Sequence, residues 1–235
     1  NWLRENNPDR LILIDYPGFN LRLAREAFQL GIPVTYFILP QVWAWKEGRV
    51  SILKDSVDQC LSIIPFEQEW FENKNVKTNF VGHPFIELEP PKQTINQFLS
   101  RHNLNYDSPI LTLLPGSRQQ EINQHWPIYI KTVKMIKSNI SNIQVIVGKA
   151  PGVNLPNSPD YIKIEENDPQ LTMYYGDAAL VASGTATLEA AVLDIPMVVS
   201  YRFSLPTWIF AKKMATVSYA SMVNLIANEI IVPEF

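Results

Sequence analysis

The sequence predicts an α/β protein in which helices cover parallel sheets, with the chain divided into two units. Short apolar runs rich in Ile, Leu and Val alternate with amphipathic stretches, which is the pattern of parallel strands buried on both faces. The alternation breaks over residues 83–91, which separates the units. Hydrophobic residues make up 46% and charged residues 18% of the 235, a composition typical of a folded chain with a sizeable core.

The strands and helices follow from these runs and from the prolines at their borders. The predicted strands are Leu11–Ile14, Val34–Ile38, Gln59–Ile63, Thr78–Val81, Ile110–Leu114, Ile143–Val147, Ala178–Ala182 and Met197–Ser200. The predicted helices are Leu21–Leu30, Lys46–Asp55, Glu67–Asn73, Ile95–His102, Glu121–Lys137, Gln170–Tyr175 and Thr185–Leu193. Gly31 follows the first of these helices and suits a left-handed helix cap.

The break at residues 83–91 has paired prolines, mixed charge and no clear period, and we interpret it as a linker. Residues 1–82 then form a first domain and residues 92–235 a second, fuller one. The chain begins with Asn1 rather than methionine, and the first unit lacks opening strands. We therefore expect residues 1–82 to be the C-terminal part of an incomplete N-terminal domain, and residues 92–235 to be truncated at their C-terminal end.

Composition argues against several classes of function. The net charge of −3 and pI of 5.7 give no basic surface for nucleic acid. A lone cysteine, Cys60, cannot form an internal disulfide, which favours a reducing compartment. The apolar runs fall far short of the roughly 18 residues that span a bilayer. His83, His102 and His125 are scattered and no Asp-x-Asp pair occurs, so neither a metal nor another cofactor is predicted.

The strongest local signal is an apolar strand that enters a turn at Leu114-Pro115-Gly116-Ser117-Arg118 and continues into a helix. Free backbone N–H groups and the positive end of the helix should face the carboxyl edge of the sheet, where ligands of open α/β sheets bind. The Arg118 guanidinium can bridge two phosphate oxygens. We predict phosphate binding by Gly116, Ser117 and Arg118; the alternative is a polar turn with a solvated arginine.

A second small-residue loop, Ser183-Gly184-Thr185, also links a strand to a helix and offers N–H groups to an anion. Glu189 follows Thr185 by one helical turn on the same face, where its carboxylate is placed to accept both hydroxyls of a ribose. A capping-box role is disfavoured because Ala186 stands where that motif needs Ser or Thr. The alternative is a partly exposed surface glutamate.

Asp15 ends the first predicted strand, and a carboxylate at that end of a parallel strand is well placed for general-base work. Its alternative is an N-cap or turn-forming residue ahead of the following helix, and spacing alone favours that role. The segment Trp43–Trp45 is interpreted as core, with an apolar wall for a lipid-bearing substrate as the alternative. Trp208–Lys213 reads as a packed amphipathic helix rather than a membrane contact, and His125 is expected at the surface or half-buried.

Taken together, the chain resembles the lipid A disaccharide synthase family. The matching stretches, in the family's order, are Ile14–Asn20, Pro40–Trp45, Val81–Pro84, Leu114–Arg118, Ser183–Glu189, Pro196–Val199 and Asn224–Ala227. The resemblance implies a GT-B type fold, two Rossmann-like domains with parallel sheets. It also implies an inverting glycosyltransferase that moves 2,3-diacylglucosamine from UDP to 2,3-diacylglucosamine 1-phosphate, giving the β-1,6-linked lipid A disaccharide 1-phosphate and UDP.

The resemblance assigns roles to individual residues. It implies that Asp15 is the base that takes the proton from the acceptor 6-hydroxyl, and that Asn224 lies near the diphosphate. It implies that the residues already singled out hold the nucleotide and its diphosphate: Gly116, Ser117, Arg118, Ser183, Gly184, Thr185 and Glu189. The acylated substrates imply a cytoplasmic protein, peripheral at the inner membrane of a Gram-negative-type bacterium, and the family allows for a homodimer of the full-length protein.

Three other interpretations stay open at this point. A UDP-N-acetylglucosamine 2-epimerase has similar nucleotide-binding loops, but the Trp43–Trp45 segment and the surroundings of Asp15 fit it poorly. A second GT-B transferase, acting on lipid-linked peptidoglycan precursors, is an alternative within the fold. A catalytically inactive nucleotide-sugar-binding fragment belongs to another class, and UDP release from acylated substrates distinguishes a transferase from it.

Overall fold

The computed structural model describes residues 2–44, 46–202 and 219–235. Within these ranges the chain forms two compact units: the first runs to Ile86 and the second begins at Glu87. The change therefore falls inside the stretch 83–91 that lacks a periodic pattern. Outside the described residues lie one residue and one segment discussed above, Trp45 and Trp208–Lys213.

The first unit is a four-stranded parallel sheet with helices between its strands. The strands are β1 (Leu11–Ile14), β2 (Val34–Phe37), β3 (Gln59–Ser62) and β4 (Thr78–Phe80), in the spatial order β1-β2-β3-β4. The helices are α1 (Trp2–Asn6), α2 (Pro17–Gln29), α3 (Val50–Ser56) and α4 (Glu67–Glu72), with short 3₁₀ turns at Glu47–Arg49 and Pro84–Glu87. The four predicted strands are confirmed to within a residue at either end.

Two helix predictions in the first unit needed correction at their starts. Helix α2 begins at Pro17 rather than Leu21, because proline suits the first turn, where its missing N–H is not needed. The helix predicted from Lys46 begins only at Val50, because Lys46 has a non-helical φ of 63° and Glu47–Arg49 form a 3₁₀ turn. Gly31, with a φ of 72°, follows α2 as the predicted left-handed cap.

The second unit is a five-stranded parallel sheet. Its strands are β5 (Ile110–Leu114), β6 (Gln144–Gly148), β7 (Ile162–Glu165), β8 (Ala178–Val181) and β9 (Met197–Val199), in the spatial order β7-β6-β5-β8-β9. Its helices are α5 (Ile95–His102), α6 (Gln119–Asn139), α7 (Leu171–Tyr174), α8 (Thr185–Val192) and α9 (Met222–Ala227). Strand β7 and helix α9 were not predicted. Strand β7 is an edge strand that reads Ile-Lys-Ile-Glu, so it lacks the continuous apolar run of a buried strand.

The strand order of the second unit decides where its site lies. Strand β5 is central: the chain passes from β5 to β6 and β7 on one side, then returns to β8 and β9 on the other. Such a reversal opens a crevice at the carboxyl ends of the strands. Helix α6 packs Ile122, Trp126, Tyr129 and Val133 onto the sheet at helical spacing, and all four are fully buried. The start of α6 is thereby fixed beside the crevice.

Candidate functional site

Two strand-to-helix turns lie side by side at the carboxyl edge of the second sheet. We call residues 115–118, between β5 and α6, the Gly116 turn, and residues 182–184, between β8 and α8, the Gly184 turn. The two strands pair in register up to Leu114 and Val181, and the Ala182 N–H donates to the Leu114 carbonyl at 2.8 Å. The two turns line a cavity of about 570 Å³, a volume typical of small-molecule sites. Gly116, Ser117, Arg118, Ser183, Gly184, Thr185 and Glu189 all line it.

The Gly116 turn is filled by a side chain of the protein itself. The Glu121 Oε2 accepts hydrogen bonds from the backbone N–H groups of Ser117 at 3.0 Å and Arg118 at 3.3 Å. The Arg118 Nη1 donates to the other oxygen, Glu121 Oε1, at 3.2 Å. The expectation of free N–H groups at Ser117 and Arg118 is therefore wrong. Glu121 is the third residue of α6, a position where Glu often caps a helix start, and that spacing was the signal for it.

The Gly184 turn, in contrast, is open. The backbone N–H groups of Ser183, Gly184 and Thr185 meet no acceptor among the residues that the structure describes. Thr187, the third residue of α8, donates its hydroxyl to the Gly184 carbonyl at 2.8 Å, so this side chain holds the turn without covering its N–H groups. Unpaired N–H groups at the start of a helix, together with the helix dipole, are a site for an anion.

Glu189 lies in the cavity one turn beyond Thr185, on the helix face predicted for it. Its Oε1 accepts a hydrogen bond from the side-chain amide of Gln170. Burial raises the pKa of the Glu189 carboxyl, the Gln170 hydrogen bond lowers it and the charge of Asp168 adds to the rise. The carboxylate is therefore half-buried and oriented by one donor. Gln170 was not singled out from the sequence.

A buried carboxylate shapes the far wall of the cavity, which the loops 148–151 and 167–170 form. The fully buried Glu165 accepts the N–H groups of Asn167 at 2.8 Å and Asp168 at 3.0 Å with Oε1. Its Oε2 is bound by Arg101 and, at 2.8 Å, by the Nε2 of His102, whose pKa burial lowers. All these hydrogen bonds fix the backbone of the wall. The short, alternating pattern of β7 concealed this role for Glu165.

The side chain of His125 binds the backbone of the Gly116 turn. It is 1% exposed, so the expectation of a surface or half-buried residue is wrong. One ring nitrogen, Nδ1, lies 2.8 Å from the Pro115 carbonyl, while Nε2 accepts the Arg202 N–H at 3.0 Å. Because a carbonyl can only accept and a backbone N–H can only donate, these partners select the neutral tautomer with hydrogen on Nδ1. The ring thereby ties the turn to the chain after β9.

The structure does not place Asn224 in the cavity lining. Its side chain is fully buried and makes four hydrogen bonds. The amide donates to the Val232 carbonyl at 2.9 Å and to Glu234 at 3.1 Å, and its oxygen accepts the N–H groups of Ile231 and Val232, each at 2.9 Å. Asn224 thus closes the loop after α9. A contact between Asn224 and a diphosphate stays a prediction.

In the first unit, Asp15 stands at the carboxyl end of β1 with an exposed side chain. Asp15 and Tyr16 both have a φ of 46°, a left-handed conformation that costs about 1 kcal/mol or more in a non-glycine residue. Two side chains fix this backbone: Asn20 donates to the Asp15 carbonyl at 2.7 Å, and the Tyr36 hydroxyl donates to it at 2.7 Å. Burial, and then the charge of Asp15, raise the pKa of the Tyr36 hydroxyl, which keeps it a donor.

The Asp15 carboxylate itself has no hydrogen-bond partner among the described residues. Tyr16, not Asp15, is the N-cap residue of α2, and no side chain caps that helix. The N-cap alternative for Asp15 is therefore excluded, although the residue does lie in a turn. A strained and firmly held backbone that presents an unused carboxylate is a common arrangement at functional sites.

Another carboxyl of the first unit was missed. Glu67 is 1% exposed and accepts the indole N–H of Trp43 at 2.9 Å with Oε1, while its Oε2 has no hydrogen-bond partner among the described residues. Burial raises the pKa of Glu67 to about 7. Trp43 is 7% exposed, as its interpretation as core predicts. Glu67 thus anchors the segment that precedes the 3₁₀ turn.

No group of three His, Cys, Asp or Glu side chains in residues 2–44, 46–202 and 219–235 stands close enough together to hold a metal ion. In the same ranges, none of the helices has the length and hydrophobicity needed to traverse a lipid bilayer.

Comparison with known families places the whole chain. The family model described as lipid-A-disaccharide synthetase matches residues 1–235. The chain is 39% identical over 238 residues to a lipid-A-disaccharide synthase of Myxococcus xanthus, covering 98% of this chain and 62% of that protein. It is 38% identical over 245 residues to lipid-A-disaccharide synthase 1 of Legionella pneumophila, covering 99% of this chain and 63% of that protein. The chain thus spans under two thirds of these relatives.

Solved structures with a similar fold are more distant in sequence. A UDP co-structure of MnaA from S. aureus superposes with a TM-score of 0.65 at 11% identity, covering 97% of this chain and 67% of that one. The glycotransferase of kitacinnamycin superposes with a TM-score of 0.57 at 13% identity, covering 99% and 64%. At such identities the likeness concerns the fold alone. The predicted fold class, two Rossmann-like units with parallel sheets of GT-B type, is confirmed.

Proposed function

The chain belongs to the lipid-A-disaccharide synthetase family, and on that basis we propose that it is the nucleotide-sugar-binding portion of a glycosyltransferase of lipid A biosynthesis. The single observation that carries the proposal is the cavity of the second unit, where the open Gly184 turn, Arg118 and Glu189 converge. A nucleoside diphosphate needs an anion site, a cation and an acceptor for its ribose, and these three groups offer them.

The diphosphate binds at the Gly184 turn in this proposal. The N–H groups of Ser183, Gly184 and Thr185 donate to its oxygens, supported by the dipole of α8. Arg118, with 80% of its side chain exposed, reaches the same oxygens from the Gly116 turn. Charge that grows on the departing diphosphate is then stabilised by groups already in place. Gly116 and Ser117 shape the turn that carries Arg118.

The nucleoside occupies the rest of the cavity. The Glu189 carboxylate accepts the ribose hydroxyls, and the Gln170 amide orients it. The wall of loops 148–151 and 167–170 encloses the base, which we propose to be uracil because the family transfers a sugar from UDP. This wall is rigid on the cavity side because Glu165 ties down its backbone.

The reaction joins two acylated glucosamines. The 6-oxygen of 2,3-diacylglucosamine 1-phosphate forms a bond to the anomeric carbon of the donor sugar. The bond from that carbon to the diphosphate breaks on the opposite face, and UDP leaves with the electron pair. Asp15 takes the proton of the attacking hydroxyl, a role supported by its unused carboxylate and its firmly held backbone. The anomeric centre is inverted and the product carries a β-1,6 linkage.

The substrates carry acyl chains, which bears on where the longer protein acts. We propose a cytoplasmic protein that touches the inner membrane peripherally, because both its substrates are lipids held at that surface. A homodimer of the longer protein belongs to the same proposal.

The test is UDP release by the longer protein that contains this chain, supplied with both acylated glucosamine substrates. Release is expected to need both substrates and to fall by roughly two orders of magnitude or more in Asp15→Asn, the scale of general-base catalysis. Asp9→Asn is the matched control, since Asp9 is exposed just before the opposite end of β1. Release that persists in Asp15→Asn contradicts the assigned base. Interconversion of free UDP-sugars without an acceptor identifies an epimerase instead.

A further inference from the structure

Glu121 places a carboxylate where an anionic ligand would otherwise be expected. It binds two backbone N–H groups with one oxygen and the Arg118 guanidinium with the other. These are the kinds of donors that recognise phosphate, because carboxylate and phosphate oxygens accept the same hydrogen bonds. Glu121 also lines the cavity. Arg118, the cation expected to bind a diphosphate, is thus paired with a carboxylate of the protein itself.

The two side chains of this ion pair differ in how far they are exposed to solvent. The Glu121 side chain is 16% exposed, and it fits against Gly116, where a Cβ would lie only 2.6 Å from its Oε2. The Arg118 side chain is 80% exposed, and ion pairs at such exposure are weak and easily exchanged. Glu121 is thus the fixed member of this ion pair, and Arg118 is the member that can move.

We propose that Glu121 is a positioning residue that holds Arg118 while the cavity is empty, yields it to the diphosphate when the donor binds, and takes it back when UDP leaves. The inference rests on the proposed function and deepens it. Glu121 keeps its hydrogen bonds to Ser117 and Arg118 N–H throughout, so only the guanidinium moves. The exchange lowers the affinity for UDP and speeds its release.

A helix cap without this role is the competing explanation for Glu121. The variant Glu121→Gln separates the two, because its amide oxygen still accepts the backbone N–H groups while its ion pair with Arg118 is lost. A cap alone changes UDP affinity only through the loss of one nearby negative charge, and to the same extent with or without Arg118. The exchange predicts that UDP binds more tightly, since Arg118 is released and a negative charge beside the diphosphate is removed.

The experiment is calorimetric titration of the 235-residue chain with UDP. Glu121→Gln is expected to lower the Kd for UDP roughly three- to ten-fold, the scale of an exposed ion pair plus one nearby charge. Stopped-flow release of UDP should slow by a similar factor. In an Arg118→Ala background, Glu121→Gln should lose a large part of its effect. Glu229→Gln changes the net charge by the same amount at an exposed position after α9 and is the matched control.

The outcomes separate the inference from the proposed function. If the wild-type chain binds UDP and Glu121→Gln binds it equally or less tightly, the exchange is overturned and the proposed function stands. If neither chain binds UDP, the proposed function fails and the inference fails with it. Thermal melting of each variant accompanies the titration. Should Glu121→Gln unfold, the ¹³C carboxylate signal of Glu121 in the wild-type chain keeps the test, because it should shift when UDP takes Arg118 away from Oε1. An unchanged Glu121 signal in the presence of bound UDP contradicts the exchange.

Discussion

The Gly116 turn and the Gly184 turn both contain a glycine with a large positive φ, but only the first is filled by a side chain of the protein. Gly116 has a φ of 123° and Gly184 one of 127°, and each turn joins a buried parallel strand to a helix. In the Gly116 turn, the Glu121 carboxylate takes the N–H groups of Ser117 and Arg118. In the Gly184 turn, the N–H groups of Ser183, Gly184 and Thr185 have no acceptor in the part of the chain that the structure describes.

The difference arises at one position, the third residue of the helix that follows. In α6 this residue is Glu121, an acceptor long enough to reach back to the turn. In α8 it is Thr187, whose hydroxyl donates to the Gly184 carbonyl and so leaves the N–H groups uncovered. A turn that looks like an anion site in sequence is therefore one only if its own helix does not supply the anion.

The largest expected effect separates the two glycines by stability. In Gly116→Ala, the new Cβ would meet Glu121 at 2.6 Å on a strained backbone, so we expect about 2–4 kcal/mol less unfolding free energy. In Gly184→Ala, nothing lies within 4 Å of the new Cβ, and only backbone strain of about 1–2 kcal/mol remains. Urea denaturation measures both.

UDP binding should show the reverse order for these two variants. Gly184 lines the cavity at the proposed diphosphate site, so an added Cβ should crowd the ligand and this variant should lose more affinity than stability. Gly18→Ala is the control, because Gly18 lies in α2 with open space around it and no positive φ. Equal losses of stability in Gly116→Ala and Gly184→Ala contradict the different filling of the two turns.

The second effect concerns the cation that the Gly116 turn supplies. Arg118→Ala is expected to weaken UDP binding roughly 10- to 100-fold, the value of a hydrogen bond to a charged group. The unfolding free energy should change by no more than about 0.5 kcal/mol, because the side chain is exposed. Lys134→Ala, an exposed residue further along α6, should leave both quantities unchanged. If Arg118→Ala binds UDP as tightly as the wild-type chain, Arg118 does not bind the phosphate groups.

The smallest effect concerns Glu189 and its titration. Since burial raises the pKa of this carboxyl, it takes up a proton at a higher pH than an ordinary glutamate. The ionised form accepts both ribose hydroxyls, so UDP affinity should be full above that pKa and fall as the pH drops through it. Glu189→Gln should bind UDP roughly ten-fold more weakly, the loss of about one hydrogen bond, and should lose this pH dependence. A dependence that survives in the variant belongs to another group.

Much of the fold could be predicted, because buried parallel strands are continuous apolar runs. Strand Ile110–Leu114 and helix Ile95–His102 were predicted at their observed bounds. The edge strand Ile162–Glu165 was missed because one of its faces is partly exposed and its residues alternate. The order of strands, which brings the two turns together, depends on pairing between distant segments and leaves no local pattern.

The site was predicted in its parts but not in its connections. The lining residues were found because strand, small-residue turn and helix follow one another in the sequence. The hydrogen bond from Gln170 to Glu189 and the support of the Gly116 turn by His125 join residues 19 and 10 positions apart, which no periodicity marks. Burial of Asn224 was likewise unpredictable, because the three residues that its side chain binds, Ile231, Val232 and Glu234, lie beyond the end of its helix and share no periodic pattern with it.

The central claim is that the diphosphate of UDP binds the open turn and not the filled one. Amide ¹H–¹⁵N spectra of the 235-residue chain, recorded during titration with UDP, test it most directly. The amide signals of Ser183, Gly184 and Thr185 should shift and exchange more slowly with water, while those of Ser117 stay protected with and without UDP. Unchanged signals at the Gly184 turn, or a loss of protection at Ser117 as UDP binds, would contradict the account.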